Sequence, residues 1–600
     1  MSTNPRDRLD ILERSETDPE QSVAVAGVSG TDTESEIHIH SLIFTPKNTQ
    51  KLRQNRRRRG VENWPAGMAK YIRVRSLCVT YSPKLDLYTA DFGWGKARKV
   101  EVTSIEGETY GMSLCNSRDC DCGLEIGYYR ARTTTTTIMT TILQTLQVSP
   151  APSPQGGAAA ELTLPLTFFD MWWVHFHPIR RVLFYDHPCS TADFLNSVVP
   201  NLEKSLSLTL KHFLPAAGNL LYPTDTAKNK PFLRYAGGDS LRLTVAESGL
   251  DFDELTANCP RDADPFWDFV PELAPPADAG EYKHAPLMAV QATHFPGRGV
   301  ALGIANLHLL GDGSAVNASL ILSWAAISRS AGDEDFLRLQ QKLESAPIFD
   351  RRVIKDAVGI DGIFWDEMRK TPFSPAPFPL PTNRVRATFA LTRSDLEKLK
   401  NRVLVKKPGL NRVSSFVATA CYVWSCMARS EPDGDDAYEL LVVPVDARGR
   451  KNALIEPPVP GNYFGNCIAF AVVEIRHGEL VGEGGFEAAA EAVTVEIRNG
   501  VNEAAALLRG AEDWINEMKK CQEKKMKVFG VSGSPKFDLA VADFGWGKAK
   551  KVEYVTLDGE NYSMSLANAR DGGGGLEFGL SLPEKRMEAF TAIFADGLTK

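Results

Sequence analysis

Hydrophobic and polar positions along this chain alternate between two periods, and the alternation predicts its architecture. The run RRVLFYD, Arg180–Asp186, is rich in β-formers. From Thr191 to Phe213 the apolar residues Leu195, Val199, Leu202, Leu206, Leu210 and Phe213 recur at helical spacing. PLMAVQATH, Pro286–His294, and GVALGIANL, Gly299–Leu307, predict strands, the second apolar enough to be buried on both faces. Further on come a strand over Arg386–Leu391, a capped helix at SDLEKLKN, and an apolar helix over Ser414–Cys426. Two buried strands, Tyr438–Val445 and Cys467–Glu474, complete this half. Alternating strands and helices in both halves predict an α/β fold of two layered domains of similar size. Between the halves, PFSPAPFPLP at Pro372–Pro381 fits neither a continuous helix nor a central strand, so it is the expected crossover linker. The acidic, proline-containing stretch Asp251–Pro276 reads as loop. PAPSPQGG, Pro150–Gly157, reads as a flexible lead-in, with structure proper expected to begin near Leu162.

An internal repeat changes the reading of the N-terminal part. Pro83–Gly127 aligns without gaps to Pro535–Gly579 at a constant offset of 452, with 28 of 45 positions identical. That is far too similar for chance and far too distant for a solenoid. Both copies carry ADFGWGKA, then KVE, then a Gly-Glu turn between apolar runs that predicts a hairpin. Residues 1–68 are polar, first acidic and then basic (KLRQNRRRRG), and are expected to be a disordered extension. Residues 69–138 hold the first copy and the start of a low-complexity join, RTTTTTIMTTILQTLQ. The 462 residues from Met139 would make a complete protein alone: a domain over 139–365, the linker over 366–385 and a domain over 386–600, with a channel between the domains.

Composition excludes several classes. A net charge of −7 argues against a general nucleic-acid binder. No apolar run approaches the ~20 residues needed to span a bilayer, and the N-terminus has no signal-peptide core. The ten cysteines are scattered, which suits a reduced, cytoplasmic setting. Cys115, Cys120 and Cys122 lie close together, but the second copy has Ala567, Gly572 and Gly574 there, so no metal is expected. No Gly-x-Ser-x-Gly elbow is present, which counts against a serine hydrolase.

The chemistry concentrates in NLHLLGDGSAVNASLILSW, Asn306–Trp324. A strand ends at Leu307, a tight turn holds Gly311, Asp312 and Gly313, and a helix follows with Val316, Leu320, Trp324 and Ile327 on one face. His308 thus stands at a strand end. Its unperturbed pKa, near ~6.5, suits a general base, and apolar neighbours favour the neutral form by desolvation. Taken alone, H-x-x-x-D is also what a helix-capping turn looks like.

Three ordered motifs decide between these readings: the H-x-x-x-D-G turn, Tyr463-Phe464-Gly465-Asn466-Cys467, and Asp543-Phe544-Gly545-Trp546-Gly547. With LPLTFFDMWWVHFHPIRRVLFY near the start and GGLEFGLSLPEKRMEAFTAIFADGL at the end, the chain resembles the BAHD acyltransferases. The likeness is to their anthocyanin and flavonoid-glucoside branch, over about residues 150–600 plus a fragment at 70–130. The resemblance implies two chloramphenicol-acetyltransferase-like domains and transfer of an acyl group from acyl-CoA, malonyl or hydroxycinnamoyl, to a hydroxyl of a phenolic glycoside. It implies His308 as general base and Asp312 as a structural residue paired with an arginine, Arg448 or Arg450. The DFGWG and YFGNC residues are structural by the same resemblance. No bound cofactor or metal is implied, only acyl-CoA as cosubstrate, and the protein is expected to be a monomer. Within the same chemistry the acceptor could be another alcohol or an amine. A catalytically impaired fusion is the reading from a different class. Leu307-His308 departs from the His-His that often precedes this turn in the family.

Overall fold

The computed structural model describes residues 29–32, 35–40, 76–79, 110–116, 124–130, 140–152, 161–330, 346–356, 359–373, 380, 382–431, 437–449, 456–502, 508, 510–524, 526–559 and 562–599. The chain divides into two units, Met1–Ile138 and Met139–Lys600.

The first unit holds a five-stranded sheet in sequential order. β1 (Ser29–Asp32) runs antiparallel to β2 (Ser35–His40), and β2 is parallel to β3 (Ser76–Val79). β3 is parallel to β4 (Tyr110–Asn116), which forms a hairpin with β5 (Leu124–Arg130). Two of these strands lie inside the stretch read from sequence as a disordered extension. The basic run, the first ADFGWGKA, Cys120 and Cys122 fall outside the described residues.

The second unit contains three sheets. The first half is built on six strands: β6 (Thr141–Val148), β8 (Ile179–Asp186), β11 (Leu241–Glu247), β15 (Met288–Phe295), β16 (Gly299–Asn306) and β21 (Lys551–Tyr554). β15 and β16 are buried along their whole length, as continuous apolar runs require of central strands. The helix Val199–His212 packs against the helix Leu322–Ser330, and its Leu202, Leu206 and Leu210 join the same core. A smaller sheet joins β7 (Leu162–Pro165), β9 (Asn219–Pro223), β10 (Phe232–Tyr235), β13 (Ala277–Ala279) and β14 (Tyr282–Pro286).

The second half is a seven-stranded sheet in the order β12-β17-β23-β22-β20-β18-β19. Its members are β12 (Arg261–Asp262), β17 (Val385–Leu391), β18 (Tyr438–Asp446), β19 (Ile468–Arg476), β20 (Lys527–Ser532), β22 (Ser563–Asn568) and β23 (Leu576–Leu582). The helix Ser415–Arg429 covers it with twelve consecutive buried residues, Val417–Ala428. The two halves exchange strands. β12 leaves the first half to pair with β17, and β21 leaves the second half to pair with β8. A buried ionic cluster fastens the exchange: Glu553 of β21 accepts from Arg261 and Arg386, and Asp558 accepts from Arg386.

Three expectations need correcting. In the second unit, structure begins at β6, not near Leu162. TILQTLQV is rich in β-branched threonine and isoleucine and pairs antiparallel with β11 as an edge strand. Residues 251–276 are not mainly loop. They contain a helix over Phe252–Thr256, capped by Asp251, and a 3₁₀ turn over Asp264–Phe269, because Phe252, Phe266 and Phe269 form an aromatic core of their own. The helix at SDLEKLKN is capped two residues before Ser394, by a Thr392–Asp395 capping box. Most of the proline-rich linker, residues 374–379 and 381, lies outside the described residues.

Candidate active site

β16 delivers His308 to the floor of a cavity of about 980 Å³ that opens between the halves of the second unit. Trp172, Trp173, Arg181 and His308 line it from the first half, and Phe470 and Trp514 from the second. The chain turns over His308–Leu310, then enters a helix whose first two turns, Ser314–Ile321, have π geometry. Val316, Leu320, Trp324 and Ile327 of that helix are buried.

The imidazole is held on three sides. Trp173 stacks on it, with ring centroids 3.7 Å apart and planes 13° apart. Phe176 meets it edge-on at 6.0 Å. Its Nδ1 lies 3.1 Å from Asn466 Oδ1. Asn466 Nδ2 donates to Asp170 Oδ1 and to the His308 carbonyl, both at 2.9 Å. Two acceptors therefore fix the amide orientation, so Oδ1 faces the ring and Nδ1 must carry the proton. Nε2 is left with its lone pair. Burial pushes the His308 pKa down to about 4, partly offset by the charge of Asp312. The ring is a neutral base at neutral pH.

Asp170 is fully buried and completes the relay. Its Oδ2 accepts from the Thr167 amide and hydroxyl, both at 2.9 Å, and lies 3.8 Å from Arg351 Nε. Arg351 donates to the Tyr463 hydroxyl at 2.8 Å and to the Phe464 carbonyl at 2.6 Å. Gly465 must be glycine, because a Cβ there would sit 1.8 Å from the Arg351 guanidinium.

Asp312 lies at the same cavity, buried and with its carboxylate fully engaged. Its Oδ2 accepts from Arg448 Nη2 at 2.8 Å and from the Cys467 amide at 2.9 Å, and its Oδ1 accepts from the Ser314 and Ala315 amides. Arg448 also donates to the Tyr463 carbonyl and to Asp446. Asp312 and Arg448 are both buried, so the pair ties the histidine turn to the YFGNC turn and leaves the carboxylate no vacant lone pair for chemistry. Arg450 lies outside the described residues. Burial pushes the Cys467 thiol up to about 12, which removes it as a nucleophile.

The DFGWG turn does not line the cavity. Asp543 Oδ1 accepts from the Gly545 and Gly547 amides, and both glycines have positive φ, +100° and +82°. Phe544 meets Trp324 edge-on, Trp546 stacks on His187, and Tyr185 donates to the Ala542 carbonyl. The motif clasps the first half from outside. His308, Asp312, Arg448 and the YFGNC residues thus come together, and the DFGWG residues stand apart from them.

Sequence reasoning singled out neither Asp170 nor Arg351 nor Trp173, and could not place Arg181. Asp170 left one signal, the Thr-x-x-Asp spacing of Thr167 and Asp170. Arg181, 3% exposed, donates through Nη2 to Asn306 Oδ1, while its Nε has no hydrogen-bond partner. Among the described residues no carboxylate lies within ion-pair distance of it, and burial lowers its pKa only to about 10, so it stays cationic. Among the described residues no cluster of three His, Cys, Asp or Glu side chains could hold a metal, and no helix is long and apolar enough to cross a membrane.

A neutral histidine with a fixed tautomer, lining a large cavity between the two halves, can serve acid–base chemistry on a protic acceptor. The Transferase family profile matches residues 139–596. The chain is 50% identical over 459 residues to malonyl-coenzyme:anthocyanin 5-O-glucoside-6'''-O-malonyltransferase of Salvia splendens, covering 76% of this chain and 95% of that protein. It is 40% identical over 469 residues to phenolic glucoside malonyltransferase 1 of Nicotiana tabacum, covering 77% and 100%. It is 35% identical over 461 residues to coumaroyl-CoA:anthocyanidin 3-O-glucoside-6''-O-coumaroyltransferase 2 of Arabidopsis thaliana, covering 75% and 96%. Of solved structures, vinorine synthase superposes with a TM-score of 0.54 at 18% identity, over 75% of this chain and 96% of that one, a likeness of fold. The site belongs to a CoA-dependent acyltransferase. The chain is a member of the BAHD acyltransferase family.

Proposed function

We propose that this protein transfers a malonyl group from malonyl-CoA to a sugar hydroxyl of a phenolic, flavonoid or anthocyanin glycoside, acting as a cytoplasmic monomer. The observation that carries the donor choice is Arg181. A cationic guanidinium without a carboxylate partner, in the same cavity as the base, suits an acyl group ending in a carboxylate. A hydroxycinnamoyl group has no use for it. The aromatic wall suits a flat aglycone: Phe470 and Trp514 lie 5.4 Å apart, and Trp172 and Trp514 6.1 Å apart.

In this mechanism His308 Nε2 takes the proton of the acceptor hydroxyl. The oxygen attacks the thioester carbonyl, and a tetrahedral intermediate forms. The C–S bond then breaks, and the CoA thiolate takes the proton from the imidazolium. Asp312 and Arg448 hold the turn, and Asn466 holds the tautomer. The test is a donor panel of malonyl-, coumaroyl- and acetyl-CoA with a flavonoid glucoside, read by mass spectrometry. A malonyl conjugate as the dominant product is expected. A coumaroyl conjugate as the dominant product overturns the donor assignment.

A further inference from the structure

Beside Arg181 stands a phenol whose proton is not spent. Tyr554 of β21 is the register partner of Arg181 on β8, so both side chains leave the same face of the sheet. Both line the His308 cavity, as does Asn317, which is only 4% exposed. Asn317 Nδ2 donates to the Tyr554 hydroxyl oxygen at 3.3 Å, and Asn317 Oδ1 has no hydrogen-bond partner. The phenol oxygen is the acceptor in that bond, so its own hydrogen is free to donate elsewhere. Burial raises the Tyr554 pKa, which keeps that hydrogen in place at neutral pH. Gly533, at φ +81°, keeps the approach open. A Cβ there would lie 3.5 Å from the phenol oxygen and 2.9 Å from the Leu566 carbonyl.

We propose that Tyr554 is a specificity-determining residue for the acyl donor. Its O–H, positioned by Asn317, donates to the terminal carboxylate that Arg181 pairs with. The inference rests on the malonyl reading above. A carboxylate has two oxygens to satisfy, and two donors on neighbouring strands, facing the same way, offer one to each. A role at the developing oxyanion would make Tyr554 serve every thioester alike, which gives a clean discrimination. Were the Asn317 amide turned the other way, the phenol would donate to it and contribute nothing to any donor.

The experiment compares full-length wild type, Tyr554→Phe and Arg181→Met with malonyl-CoA and with acetyl-CoA, the same thioester lacking the carboxylate. It reads kcat/KM for turnover and Ki for competition against malonyl-CoA. Loss of a hydrogen bond to a charged group predicts that Tyr554→Phe lowers kcat/KM for malonyl-CoA by about 10- to 100-fold. With acetyl-CoA the variant should stay within about twofold, which also shows that it is folded. Equal loss with both donors, or no loss with either, overturns the role. Indifference of Arg181→Met to the carboxylate overturns the malonyl reading itself. Loss in Arg181→Met with none in Tyr554→Phe overturns only the part assigned to Tyr554.

Discussion

The chain builds one three-stranded piece of sheet twice, and the two copies differ in what they lean on. In the first, Ser113 faces Gly127 across β4 and β5; in the second, Ser565 faces Gly579 across β22 and β23, at the same offset of 452. The match reaches upstream of the identical sequence. Cys78 of β3 lies opposite Gly111 in parallel pairing, as Gly530 of β20 lies opposite Ser563. Only the second copy is followed into the rest of an enzyme. Its KVEY segment becomes β21 and crosses to β8, and its hairpin continues through β23 to β17. Arg261 and Arg386, which fasten Glu553, lie outside the repeat and have no equivalents at that offset. The first copy also has Val102 where the second has Tyr554. Local sequence sets strand pairing and register; the site arises only where distant partners receive the strand.

The strongest way to break this comparison is Arg386→Ala. Glu553 is buried, which alone would raise its pKa, yet Lys551, Arg386 and Arg261 hold it down at about 2. Removing one cation from such a cluster is expected to cost about 3–5 kcal/mol in urea denaturation. Glu101→Ala, at the matching sequence position of the first copy, should cost less, because the repeat carries neither Arg261 nor Arg386 with it. Equal losses would mean that both copies are held by the same kind of network.

Asp312→Asn comes next. It removes the charge from a carboxylate that anchors Arg448 and three amides, so melting temperature and activity should fall together, by about 2 kcal/mol in stability. Lost activity at an unchanged melting temperature would point to direct chemistry. A smaller effect concerns pH. Burial pushes the His308 and His177 pKa values down to about 4. The folded state keeps both neutral while the unfolded state binds protons below ~6.5. Stability should therefore be full above that pH and decline as pH falls toward 4, while kcat/KM stays level to about pH 5. An acid limb centred near 6.5 would contradict a desolvated base. The smallest expected effect is none: deleting residues 1–138 should leave activity per folded molecule unchanged and improve solubility. A folded but inactive 139–600 protein would make the first copy a working part.

Much of this was legible in the sequence where the signal is local. GVALGIANL reads as a central strand because it is apolar up to Asn306, and that places His308 at a strand end. The repeat predicted a hairpin around the Gly559-Glu560 turn, and this is not what forms: the KVEY run pairs with β8, and the hairpin of the second copy is β22–β23. What stayed hidden depends on partners far apart in the chain. β21 looks like the start of a hairpin until β8 is seen beside it, more than 360 residues earlier. Arg181 is one of two adjacent arginines, and only the cavity separates it from Arg180, which lies over Trp267. Asp170 shows in the sequence only its capping-box spacing from Thr167; the bond that its other oxygen accepts from Asn466 could not be read from spacing. β6 was hidden by composition, since a threonine run resembles a linker until an antiparallel neighbour satisfies its backbone.

The central claim is that His308 is the base, and His308→Ala tests it most directly. The measurement is kcat/KM for malonyl-CoA with a flavonoid glucoside, on variant and wild type matched in melting temperature at pH 7.5. Loss of a general base predicts a fall of about 10²–10⁴ with the fold intact. Activity within about tenfold of wild type would remove His308 from the mechanism.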